Sequence, residues 1–252
     1  MFNKVWNIKS KKDKIKTLSF KNLLWKKKSY CPVCNQTNVF LTFGVVTRRK
    51  NAKCRNCGAF ERHRFMYHIY KKEFLDADFP VKIMHTAPEN CISDLIFKNP
   101  YLEYIPVDLQ PENYNFINCM REDVTNLSFG DETFDFILSN HVMEHILDEE
   151  KFLSELLRVL KTGGKLILTF PINFNLEKTF EDSSITTDED RLKYYGQRDH
   201  VRVYGLDIID KLKNNYNTDC ITPEEILSDE AIEKMSLLSP DVVFVITKDR
   251  SL

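Results

Sequence analysis

The sequence predicts an α/β protein, a mainly parallel doubly wound sheet with helices on both faces, preceded by a small ribbon built around a metal. Three observations carry this. Apolar strand-like runs alternate with helical patterns from residue 81 onward. One helix in that series has both a start and a stop signal in its residues. Upstream, "CPVC" and "CRNC" place four cysteines in two Cys-x-x-Cys turns separated by 19 residues. A chain of 252 residues with 42% hydrophobic and 29% charged residues can bury a sizeable core.

Residues 1–28 read as a basic tail. The first 30 residues hold ten lysines and one aspartate, while the whole chain has a net charge of −1, so the rest carries −10. Such a tail is either a solvated arm or a contact for an anionic partner, nucleic acid or a membrane surface. Its Phe2, Val5, Trp6, Ile8, Ile15, Leu18 and Phe20 suit an interfacial or docking helix. No apolar run approaches the roughly 20 residues that span a bilayer, and no secretion signal is visible, so a cytoplasmic protein is expected.

Residues 29–75 are expected to form the ribbon and a helix. Cys31, Cys34, Cys54 and Cys57 at this spacing imply a structural zinc site, since four thiolates close a tetrahedral ion and leave it no open position. "NVFLTFGVVTRRKNAK" between the pairs has the composition of a hairpin. "FERHRFMYHIYKKEFL", residues 60–75, places Phe65, Met66, Ile69, Tyr70 and Phe74 at helical spacing.

Residues 76–252 form the α/β body. Strands are expected at "VKIMHT", "EYIPVDL", "NFINCM", "TFDFILSN", "KLILTFPI" and "DVVFVITK", with a helix at "CISDLIFKN". The helix with clear punctuation begins at the N-cap Asp148 and is expected to run to Gly163–Gly164, burying Phe152, Leu153, Leu156, Leu157 and Leu160.

"FDFILSNHVMEHILDEEKFLSELLRVLKTGGKLILTFP", residues 134–171, closely resembles the fourth strand, helix and fifth strand of class I S-adenosylmethionine-dependent methyltransferases, with "S-x-H-V-x-E-H" and "L-K-x-G-G" as its marks. The resemblance covers residues 80–175 and implies a Rossmann-like methyltransferase sheet. The cysteine pairs with "ERHR" and "YGQRDHVRVYG" also look like a zinc-ribbon-bearing subgroup. The resemblance implies cofactor contacts at the first loop, where His85 takes the place of an acidic residue and Ala87 and Glu89 take the places of glycines. Glu89 would bring a carboxylate to the cofactor's ammonium group. It further implies Asp108 for the ribose hydroxyls, Asp123 with the Val124 backbone for the adenine, and Asn140 and His141 near the methionine portion. Asp108 and Asp123 are also ordinary turn residues, and Glu144 and His145 equally suit a loop or cap.

Residues 173–205 have the profile of a lid. In "QRDHVRVY", His200 is the expected general base, oriented by Asp199, with His141 a further catalytic candidate. Arg198 and Arg202, joined by Arg62 and Arg64 of "ERHR", are expected to bind an anionic acceptor. The chain therefore reads as a methyltransferase using S-adenosylmethionine and structural zinc, acting on a small sugar- or nucleotide-linked acceptor. O-methylation is favoured, in surface-polysaccharide biosynthesis. An RNA methyltransferase reading through ribbon and tail is weaker, because the body is acidic and "NHVM" stands where an N/D-P-P-Y/F motif would. A non-catalytic scaffold is the third reading, resting on the glycine-free loop.

Overall fold

The computed structural model describes residues 28–44, 48–237 and 242–249. The basic tail, and the docking helix considered for it, lie outside the described residues apart from Lys28. Among the described residues the central sheet has seven strands. In chain order these are β5 (Val81–Thr86), β6 (Leu102–Asp108), β7 (Met120–Arg121), β8 (Phe134–Asn140), β9 (Leu160–Thr169), β10 (Thr218–Ile221) and β11 (Val243–Thr247). Their spatial order is β10-β11-β9-β8-β5-β6-β7, with β11 antiparallel to both neighbours and the pairs from β9 to β7 parallel. Chain direction across the sheet reverses between β5 and β8. A crevice at the carboxyl ends of those strands is where such a sheet takes a ligand.

The ribbon has two antiparallel pairs, β1 (Ser29–Cys31) with β2 (Gln36–Asn38), and β3 (Leu41–Phe43) with β4 (Arg49–Lys53). The second pair is the hairpin expected between the cysteine turns. Helix α1 (Glu61–Tyr70) continues into a π-helical turn, Lys71–Leu75, and helix α2 (Asn90–Ile96) follows β5. Cys31, Val33, Phe40 and Ala59 of the ribbon share one buried cluster with Phe65, Met66, Ile69 and Tyr70 of α1 and with Val81 and Ile83 of β5. The ribbon thus packs into the same core as the sheet.

Two expectations are corrected. "NFINCM" contributes only Met120, the first of the two residues of β7, because its first residues form a turn. The helix capped by Asp148, whose carboxylate accepts from the Lys151 amide at 2.9 Å, is α3 (Glu149–Val159). It stops four residues before the glycines, because Leu160 enters β9 directly. Gly164 lies in an irregularity of β9 opposite Phe134 and Phe136, where a Cβ would sit 2.8 Å from the Asp135 carbonyl. It allows close strand approach and does not cap the helix.

Candidate active site and metal centre

Each cysteine pair ends in a turn of positive φ, at Asn35 after Cys34 and Gly58 after Cys57. That geometry folds both pairs toward one point. The Cys31 and Cys57 sulfurs are 3.6 Å apart and those of Cys34 and Cys54 3.8 Å, and all four sulfurs lie within 4.8 Å of one another. A tetrahedral zinc ion with ~2.3 Å bonds needs sulfurs about 3.8 Å apart, so the four residues fit it.

"ERHR" opens α1, and its four side chains diverge. The His63 Nδ1 accepts the Phe60 amide at 3.2 Å, which leaves Nε2–H to donate to Glu89 Oε1 at 3.1 Å. Arg64 is fully buried, stacks 4.5 Å from the Phe40 ring centroid, and donates to the carbonyls of Asn51, Ala52, Ala59, Met235 and Ser236. Arg64 therefore ties the ribbon to the body, and the expected role at the acceptor is withdrawn. Arg62 alone of the two arginines faces the cavity described below.

The glycine-free loop has a specific structure. Ala87 sits at φ 49°, the left-handed region that glycine fills at lower cost, a strain of about 1 kcal/mol. Glu89 has φ −91°, extended backbone that any residue adopts, so no glycine is needed there. The Glu89 carboxylate turns into the core. It accepts from His63, from His85 Nε2 at 3.0 Å and from Asn140 Nδ2 at 3.0 Å, with Arg62 at 4.0 Å. Burial alone would raise its pKa, but the two histidine contacts hold it well below the ordinary carboxylate value. Burial lowers the pKa of His63, which is neutral beside it. His85 is fully buried, its Nδ1 paired with the Tyr104 hydroxyl at 2.8 Å. Asn140 also spends its amide on this network, contacting the Tyr70 hydroxyl at 3.2 Å. His85 and Asn140 are thus occupied internally, and an ammonium group would have to displace a donor to reach Glu89.

Asp108 ends β6, where the resemblance placed it. Its oxygens accept the Gln110 amide and the Tyr114 hydroxyl, each at 2.8 Å, and each oxygen retains a second lone pair. Asp123 is exposed and caps a turn through Thr125, with Val124 half-buried behind it. Exposed Leu109, Phe116 and Met120 flank these carboxylates.

A cavity of about 470 Å³ opens at the ends of β8 and β9. The ribbon and α1 contribute Arg49, Glu61 and Arg62, the strand ends His141 and Thr169, the following turn Glu144 and His145, and the lid Phe174, Gln197 and His200. His141 has φ 53° and donates from Nδ1 to Glu144 Oε1 at 3.2 Å. The His145 Nδ1 donates to the Asp199 carbonyl at 3.1 Å and lies 3.3 Å from its carboxylate. Asp199 therefore orients His145, not His200 as expected. His200 packs edge-on against His145 with ring centroids 4.7 Å apart, and burial lowers its pKa.

The lid is held down by the residue expected to bind substrate. Arg202 is buried, pairs with Glu181 at 2.9 and 3.0 Å, and donates to the carbonyls of Met143, Ile146 and Leu147. With its donors so committed, it is a structural clamp. Arg198 is exposed and pairs with Glu189 at 3.3 Å, outside the residues that line the cavity. Arg49 was missed by sequence reasoning, since nothing local signals that a ribbon hairpin reaches the sheet, and so was Glu61, the first residue of α1. His63 was missed too, although its neighbours in "ERHR" were singled out.

Part of the chain is similar to known proteins. A family model described as a methyltransferase domain matches residues 96–168. Demethylmenaquinone methyltransferase of Bacteroides fragilis is 45% identical over 67 residues, which cover 25% of this chain and 27% of that protein. Norajmaline N-methyltransferase of Rauvolfia serpentina is 34% identical over 70 residues, 28% of this chain and 23% of that protein. The chain thus matches about a quarter of the length of these relatives. Phosphoethanolamine N-methyltransferase 2 of Haemonchus contortus, solved with S-adenosyl-L-methionine, is 15% identical and covers 73% of this chain and 52% of that one at a TM-score of 0.47. Segment 96–168 of this chain thus matches the methyltransferase-domain family, and it lies within a doubly wound, Rossmann-like α/β body of strand order β10-β11-β9-β8-β5-β6-β7.

Proposed function

We propose that the chain is an S-adenosylmethionine-dependent methyltransferase acting on a small acceptor held between ribbon and lid. The observation that carries this reading is the cavity at the ends of β8 and β9, lined by three histidines and two arginines on a methyltransferase sheet. Its volume is that of a small-molecule site. The free lone pairs of Asp108 suit the ribose hydroxyls, and Asp123, Val124 and the exposed Leu109, Phe116 and Met120 suit the adenine. Bound there, S-adenosylmethionine supplies an electrophilic methyl group on its sulfonium.

The chain's own part is to orient the acceptor and take its proton. Arg62 Nε is buried and has no hydrogen-bond partner among the described residues, which favours an acceptor with an anionic or oxygen-rich group. A sugar- or nucleotide-linked hydroxyl meets that description, and surface-polysaccharide biosynthesis is a setting that uses such acceptors. For a hydroxyl acceptor, the O–H proton passes to a cavity histidine, His141 or His200. S-adenosylmethionine bound there would give its methyl group to that oxygen, the sulfur keeping the electron pair of the broken C–S bond. Cys31, Cys34, Cys54 and Cys57 would hold a structural zinc ion that fixes the ribbon wall of the cavity.

Incubation with methyl-labelled S-adenosylmethionine and a panel of sugar-phosphate, nucleotide-sugar and amine acceptors tests this reading. Label transfer to an oxygen acceptor, reduced at least tenfold in Arg62→Ala through KM, is expected. Transfer confined to amines, undiminished in His141→Ala and His200→Ala, would reject the hydroxyl assignment.

A further inference from the structure

The cavity contains a cluster that methyl transfer alone does not require. One carboxylate oxygen of Glu144 and one ring nitrogen each of His145 and His200 lie within 4.8 Å of one another. Two features point to a ligand among them. Glu144 is 1% exposed, yet its Oε2 is buried without a hydrogen-bond partner among the described residues. An orphaned buried carboxylate oxygen is expensive, and proteins normally satisfy it. Its other oxygen is engaged by His141 Nδ1, so the carboxylate is held with the free oxygen still to be filled. The second feature is His145, whose Nδ1–H is fixed by the Asp199 carbonyl and carboxylate. That contact sets the tautomer and presents the lone pair of Nε2, the arrangement that outer carboxylates impose on metal-binding histidines. Neither ring nitrogen of His200 has a hydrogen-bond partner among the described residues, so this ring too has a nitrogen to offer.

We infer that Glu144, His145 and His200 bind a divalent first-row transition-metal ion in the acceptor cavity, distinct from the ion of the cysteine cluster. Two imidazoles and one carboxylate suit zinc or iron(II) better than magnesium or calcium, which prefer all-oxygen shells. With bonds of ~2.1 Å, ligand atoms stand about 3.0–3.4 Å apart, so small side-chain rotations from the present spacing close the site. Three protein ligands leave coordination positions facing the cavity, where an acceptor oxygen binds. This gives the histidines different tasks. His145 and His200 hold the ion, the ion lowers the pKa of the acceptor hydroxyl, and His141, whose Nε2 remains free, takes the released proton.

This inference deepens the proposed function and rests on it for the role of the ion, but its test does not require turnover. The full chain is stripped by chelator, saturated with cobalt(II), desalted and assayed for metal per chain. Two equivalents are expected. Glu144→Gln, His145→Gln and His200→Gln are each expected to retain one, recognised as the cysteine-bound ion by its thiolate-to-cobalt absorption, which also shows that each variant is folded. Saturation of the wild type at one equivalent, or two equivalents retained in all three folded variants, would overturn the site. A chain that binds S-adenosylmethionine but only one cobalt fails this inference alone. One that binds two cobalt ions but no S-adenosylmethionine fails the methyltransferase reading and leaves the site standing.

Discussion

Glu89 is where a single side chain decides most. Its charge is kept in the interior by His63, His85 and Asn140, and Glu89→Gln would turn an amide donor toward groups that already donate. A loss of about 1–3 kcal/mol is expected, read as a lower Tm. The pH dependence follows from the two shifted groups. His63 has a folded pKa below its ordinary 6.5, so the unfolded chain takes up the proton first and stability declines as pH falls below that value. Glu89 has a folded pKa below its ordinary 4.5; its contribution is complete above that pH and is lost as pH falls through the folded value. The Tm difference between wild type and Glu89→Gln is therefore expected to be constant near neutrality and to shrink below about pH 4.5. A difference independent of pH down to the acid transition would refute the charged state. Ala87→Val, adding a β-branched side chain at φ 49°, is expected to cost more than ~1 kcal/mol, again by Tm. The position of Ala87 and Glu89 in the first loop was legible from "HTAPEN". The direction of the Glu89 carboxylate was not, because its first partner, His63, lies 26 residues earlier on another element.

Among the elements, the lid and the ribbon hairpin determine the cavity. The lid strap is anchored at Val201, whose amide donates to the Glu144 carbonyl, and at Tyr204, whose hydroxyl donates to Glu149 at 2.7 Å. Arg202 adds the clamp on three carbonyls and Glu181. Arg202→Ala is expected to cost about 2 kcal/mol and to open residues 173–205 to limited proteolysis, with acceptor KM raised more than kcat is lowered. Arg202→Lys would restore little, since one ammonium cannot span the same fork of acceptors. Unchanged protease resistance would show that the lid is held elsewhere. Element identity was largely readable: the alternation of apolar runs gave the parallel strands, and Asp148 marked the start of α3. The end of α3 was misread because Gly163–Gly164 is also what a close strand crossing requires, and only the register against β8 separates the two. The "QRDHVRVY" segment likewise reads the same whether an arginine meets a substrate or, as Arg202 does, the backbone of its own chain.

At the scale of the whole molecule, ribbon and sheet behave as one body. The buried cluster runs from Cys31 through α1 to β5, and Arg64 ties Ala52 and Ala59 to Met235 and Ser236. Removal of the cysteine-bound metal is therefore expected to lower a single, shared unfolding transition. The same removal is expected to loosen α1, which supplies Arg62 to the cavity and His63 to Glu89. Two separated transitions after chelation would contradict that coupling. None of the helices among the described residues is long and apolar enough to cross a membrane. The proposed methyl transfer requires that the sheet receive S-adenosylmethionine past a loop without glycine. Isothermal titration of the full chain with S-adenosylmethionine and with its demethylated product tests this most directly. One site per chain for each ligand is predicted, with affinity reduced about tenfold or more in Asp108→Ala, the loss of one or two charged hydrogen bonds. Absence of binding by either ligand to the folded, zinc-loaded protein would contradict it.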